Sequence, residues 1–219
     1  MSNFSSTLDV STLPSESRGG IALPFESRLR RARLGLLVAL VGIVMIFISF
    51  TSAYVVRQGL PTLDPGTNTL VRDWFSVRLP SLLLLNTIVL VISSGSMEAA
   101  RRQALRGTRN GSKNGLSWLA LTVLLGLSFL IGQWAVWQKL AASGMYLSTN
   151  PGSSFVYLLT GAHAVHLSGG ILALLAACGA TLLRREAESR AVVVDVAAWY
   201  WHFMAVLWVY IFCLLKFAR

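Results

Sequence analysis

Charge is what this sequence has least of. Of 219 residues only 13% are Asp, Glu, Lys or Arg, while 54% are apolar. The charged share is about half that of an ordinary water-soluble domain. One core in a chain of this size cannot hide so much apolar surface, so the excess must face lipid. A soluble enzyme, a disordered chain and a fibrous protein are excluded on these grounds, and the length allows one domain. Acidic groups are scarcer still, 9 against 19 Lys and Arg, for a formal net charge of +10. The bases cluster beside apolar runs, which points to anionic lipid headgroups rather than to nucleic acid. There are two cysteines, Cys178 and Cys213, both inside apolar runs and without metal-ligand spacing. They read as small buried hydrophobes. No Walker motif, HExxH or carboxylate pair is present, so nucleotide-driven chemistry has no visible seat. Broken helices and an internal repeat, the marks of many transporters, are also missing.

What is there is a series of five apolar runs, at about 34–56, 79–97, 116–138, 153–183 and 192–215. Each reaches the roughly 20 residues needed to cross about 30 Å of hydrocarbon. Each must be helical, because a lone strand cannot satisfy its backbone in lipid. The expected fold class is an all-α membrane protein, a bundle of five transmembrane helices over 34–219. A polar, basic N-terminal tail over 1–33 precedes it, expected to be flexible and without a cleavable signal peptide. Orientation follows from the basic residues. Arg18, Arg28, Arg30, Arg31, Arg33, Arg101, Arg102, Arg106, Arg109, Lys113, Arg184, Arg185 and Arg190 fall on one side. Arg57, Arg72, Arg78, Lys139, Lys216 and Arg219 fall on the other. The N-terminus is therefore expected in the cytoplasm and the C-terminus outside. Trp74, Trp137, Tyr146 and Tyr157 then form an outer aromatic belt, and Asp64-Pro65-Gly66 a turn in the outer loop.

Polar residues inside such runs are expensive and point to function. Glu98 closes the second run, three and four residues before Arg101 and Arg102, so a simple interfacial ion pair weighs evenly against a functional role. His163 and His166 lie three apart in the fourth run and share one helix face. They admit metal or haem binding, a proton path, or hydrogen bonds that hold helices in register. His202 lies in the aromatic stretch Trp199-Tyr200-Trp201-His202-Phe203. Bonding across helices is favoured about two to one over ligand binding, because supporting ligands are lacking. Gln133 is expected to bond across helices too, and Asp195 to complement the positive N-terminus of the fifth helix. Gly169, Ala173 and Ala177 recur every four positions and allow a close helix approach, within the chain or to a partner.

Taken in order, five stretches resemble subunit III of haem-copper respiratory oxidases, in its five-helix bacterial form. Phe50-Thr51-Ser52-Ala53-Tyr54, ending at Arg57, resembles the close of the family's first helix. Leu85-Asn86-Thr87, then Ser93-Ser94 and Glu98-Ala99-Ala100, resembles its second. Ser117-Trp118-Leu119-Ala120-Leu121-Thr122, then Gly126 and Gln133, fits the third. Leu159-Thr160-Gly161-Ala162-His163-Ala164-Val165-His166, then Gly169-Gly170, resembles the fourth. Tyr200-Trp201-His202-Phe203, then Trp208, resembles the fifth.

The resemblance implies a non-catalytic core subunit of a cytochrome c oxidase in aerobic respiration, lodged in the bacterial plasma membrane. Such a subunit has no catalytic, cofactor-binding or metal residues of its own. Haem and copper sit in partner subunits I and II, and subunit I reduces dioxygen to water with proton translocation. The chain would pack on and stabilise subunit I, support proton uptake, hold phospholipids in a cleft and join other oxidase subunits, with a respiratory supercomplex as a further assembly. Glu98, His163, His166, Trp201 and His202 would form its internal polar cluster or lipid-associated region. Carboxylates that many members carry near Ile43, Val136 and Ala205 are missing, which weakens a proton-linked role. A quinol oxidase or nitric-oxide-reductase-associated homologue, a haem-binding anchor using the three histidines, and a small transporter are the competing readings.

Overall fold

A computed structural model describes residues 25–63, 66, 69–71, 81–110, 115–146, 151–183 and 186–217. Five long helices make up nearly all of it: α1 (Phe25–Gly59), α2 (Leu82–Asn110), α3 (Gly115–Ala142), α4 (Pro151–Leu182) and α5 (Ala187–Phe217). All five are long and apolar enough to cross a membrane. The chain is a multi-pass membrane protein. The all-α expectation holds, with one small addition in the connection between α1 and α2, where β1 (Thr62–Leu63) and β2 (Leu70–Val71) pair antiparallel. Residues 1–24 of the expected tail, Asp64 and Pro65 of the turn, and Trp74 of the belt lie outside the described residues. So do Arg18, Arg72, Arg78, Lys113, Arg184, Arg185 and Arg219 among the charges used for orientation.

Helix boundaries outrun the apolar runs where charge allows an extra turn beyond the hydrocarbon. α1 begins at Phe25, so residues 25–33 are helical. α2 continues thirteen residues past Met97 to Asn110, and α4, at 32 residues, is about 48 Å long. Helix α3 stops where Gly144 takes φ of +79°. The Met145 amide then reaches back to the Leu140 carbonyl at 3.1 Å, and that of Gly144 to Ala141 at 3.0 Å. A side chain would strain that left-handed turn, and glycine does not. Pro151 opens α4 at a position where its missing N–H costs nothing.

Helix α5 is the hub. It packs on α1, α2 and α4, while α2 packs on α3 and α3 on α4. Among the described residues the consecutive helices α1 and α2 do not pack on each other. Two glycines let α5 in: a Cβ on Gly126 of α3 would lie 2.7 Å from the Trp201 ring, and one on Gly170 of α4 2.9 Å from the Tyr200 ring. Trp201 and Trp208 are fully buried. The outward faces carry Leu, Ile and Val, among them Val38, Ile131, Val165 and Val206, as lipid-facing surfaces should. The small-residue row on α4 is not one face: Ala177 is buried, Ala173 half-buried and Gly169 exposed.

Candidate functional site

The sequence-predicted residues separate into two polar regions. The first lies at the end of the bundle where α1 and α5 begin and α2 passes out. Asp195 is its centre, with its side chain fully buried. Arg33 of α1 grips it with two bonds, Nε to Oδ2 at 2.7 Å and Nη2 to Oδ1 at 3.0 Å. Arg101 of α2 adds Nε to Oδ1 at 2.8 Å. One carboxylate of α5 thus ties down two helices that do not meet each other. The expectation that Asp195 complements the α5 N-terminus is corrected: the helix starts at Ala187, two turns earlier, beyond the reach of the terminal dipole. A buried carboxylate needs counter-charges, and two guanidinium groups supply them.

Arg101 links this clasp to Glu98, at 3.2 Å. Glu98 also accepts from Arg102 Nε at 2.8 Å and lies 3.4 Å from His202 Nε2. The other ring nitrogen of His202 meets the Ser94 hydroxyl at 2.5 Å. Glu98 is therefore both the ion-pair partner of its own helix and a link to α5. Beside it, the indole N–H of Trp201 donates to Ser93 at 3.1 Å, and Ser96 pairs with Thr122 of α3 at 2.8 Å. Arg33 also lies over the Trp199 ring at 6.0 Å, and Arg28 donates to Ser189 at 3.0 Å. Glu98, Trp201 and His202 are brought together here.

His163 and His166 are not part of that group, and they part from each other. His163 is fully buried, 5.0 Å from the Trp208 ring and 6.0 Å from Phe129. His166 turns toward α1, 5.8 Å from the Phe47 ring. Its Nδ1 meets the Ala162 carbonyl at 2.7 Å, and its own carbonyl accepts from the Tyr200 hydroxyl at 2.8 Å. Three residues span about 300° of helix, and the resulting 60° offset sends one ring to α3 and α5 and the other to α1. Around His163 lies a layer of uncharged polar groups. Asn86 donates to the Phe129 carbonyl at 3.5 Å, Trp208 to Thr87 at 3.0 Å and Trp137 to Thr160 at 3.1 Å. Gln133, expected to bond across helices, is instead buried with neither amide atom partnered.

Sequence reasoning missed the clasp. Its signal was present: an acidic residue inside an apolar run demands a named cation, and Arg33 and Arg101 flank the other runs on the same side. Among the described residues no group of three or more His, Cys, Asp or Glu could hold a metal ion.

The "Cytochrome c oxidase subunit III" family model matches residues 26–218. "Probable cytochrome c oxidase subunit 3" of Mycobacterium leprae is 30% identical over 133 residues, 61% of this chain and 64% of that protein. "Cytochrome c oxidase subunit 3" of Corynebacterium diphtheriae is 31% identical over 136 residues, 62% of this chain and 65% of that protein. The protein of the same name in Prototheca wickerhamii is 30% identical over 183 residues, 82% of this chain and 66% of that protein. The match thus spans a little less than two thirds of these relatives' lengths. With five helices of membrane-crossing length and a family match running from the start of α1 to the end of α5, the chain belongs to the cytochrome c oxidase subunit III family.

Proposed function

We propose that this chain is a non-catalytic core subunit of an aerobic haem-copper oxidase, packing on the haem-bearing subunit I and stabilising it. The observation that carries the reading is the family match across α1 to α5. The chemistry of the polar groups agrees with a scaffold. Asp195, Trp201 and His202 spend their hydrogen bonds on neighbouring helices, and Glu98 adds a contact to α5 beside its own-helix ion pairs, the arrangement that holds a bundle in register. Electron transfer and dioxygen reduction belong to haem and copper in subunits I and II. In this reading the clasp end of the bundle faces the cytoplasm, phospholipids line the outward Leu and Val faces, and the bacterial plasma membrane is the site.

The test is isolation of the tagged chain from respiring cells in mild detergent, with mass spectrometry and an optical spectrum of what accompanies it. A haem-bearing, copper-containing subunit I is the expected companion. Elution of the chain alone, or a Soret band carried by the chain itself, overturns the proposal.

A further inference from the structure

Gln133 and His163 pose a chemical problem within the apolar spans; the other buried atoms without a partner, Gln103 Oε1 and Arg190 Nε, belong to residues beside charged stretches. Both are fully enclosed, at 1% and 0% exposure, and all four polar atoms of the two side chains are without a hydrogen-bond partner. In lipid no bulk water stands by to satisfy such groups, so each would be left at full desolvation cost. Gln133 lies one turn from Phe129 and one turn from Trp137 on α3. Phe129 packs on His163 and Trp137 bonds to Thr160, both on α4. The amide and the imidazole therefore sit at adjoining levels of one α3–α4 seam. Asn86, Trp208 and Trp137 in the same layer have partners, so within this layer the deficit falls on this pair.

We propose that the α3–α4 seam holds at least one ordered water molecule bridging the Gln133 amide to a ring nitrogen of His163. The occupant must be small, because the surroundings are buried on every side. It must be neutral, because the carboxylates Asp195 and Glu98 are engaged with arginines at the charged end of the bundle. It must both donate and accept, because a neutral imidazole offers one donor and one acceptor nitrogen and an amide offers both kinds. Water meets all three conditions, and a buried water commonly makes about three bonds of this kind. The bridge would join α3 to α4 through uncharged groups, independently of what the whole chain assembles with.

The deciding experiment is a cryo-electron microscopy map of the unmodified full chain, with whatever subunits accompany it, at a resolution that shows ordered waters. A density peak within hydrogen-bond distance of both the Gln133 amide and a His163 ring nitrogen is expected. A direct amide–imidazole bond, or a dry contact, overturns the proposal. Variants give a second readout. His163→Leu or Gln133→Leu alone should shorten the thermal half-life of the purified protein by about tenfold, by stranding the remaining group, whereas the double variant should recover most of it. Single variants as long-lived as the parent would also overturn it.

Discussion

Helices α1 and α5 have similar lengths and opposite surroundings. In its most apolar 18-residue stretch α1 is 6% buried, and α5 is 44% buried. Helix α5 is held by shape: Trp201 seats against Gly126 and Gly170, and Trp208 against Phe129 and His163. Helix α1 is held by a few directed contacts. They include Arg33 on Asp195, Arg28 donating to Ser189, the Tyr210 hydroxyl donating to Thr51 at 2.9 Å, Phe47 beside His166 and Tyr54 beside Phe155. In lipid, apolar surface gains little by leaving one apolar neighbour for another, so a helix without interlocking side chains depends on polar ties. Helix α5 carries three tryptophans and α1 none, and the two helices are attached in different ways.

The contrast can be broken from either side. Trp208→Ala removes one of the two fully buried tryptophans of α5 together with its bond to Thr87. It should cost about 2–3 kcal/mol, below the roughly 3–5 of a water-soluble core because the separated helices still lie in lipid. Loss of thermal stability of the purified protein measures it. Asp195→Ala strands two arginines. Both reach water in part, at 41% and 23% exposure, so the cost should be about 2 kcal/mol, short of that for a fully enclosed pair. Hydrogen exchange should rise in α1 and stay unchanged in the α3–α4 seam; equal rises in both would mean that α1 is not specially dependent on the clasp. Gly126→Ala should do the reverse. It forces Trp201 to shift and costs about 1–2 kcal/mol with α1 unaffected, as seen in the same exchange measurement. Tyr210→Phe should cost roughly 0.6 kcal/mol, the usual worth of one interhelical bond in a membrane. Val38→Ala, at 72% exposure on α1, should stay within about 0.5 kcal/mol.

The candidate site was only partly legible in the sequence. His163, His166 and His202 stand out as polar groups in apolar runs. The parting of His163 from His166 depends on a 60° difference around α4, and the distance of both from the His202 group on which helices lie beside each ring; neither is written in the spacing. Glu98 and its arginines are neighbours along one helix, so local periodicity reveals that pair. The bond from Asp195 to Arg33 spans 162 residues and depends on α5 crossing both α1 and α2. The sequence alone offers Asp195 a local partner, the helix terminus, and the start of α5 at Ala187 removes it.

Composition and run length by themselves determined that this chain forms five helices long and apolar enough to cross a membrane. The reason is that backbone polar groups in hydrocarbon have no other way to be satisfied. Order and identity of the motifs determined the family. Only the tertiary structure decided that α5 is the hub, that α1 and α2 stay apart, and that one buried carboxylate spans the gap between them. Those outcomes rest on side chains meeting across helices, where distance in space has no relation to distance along the chain.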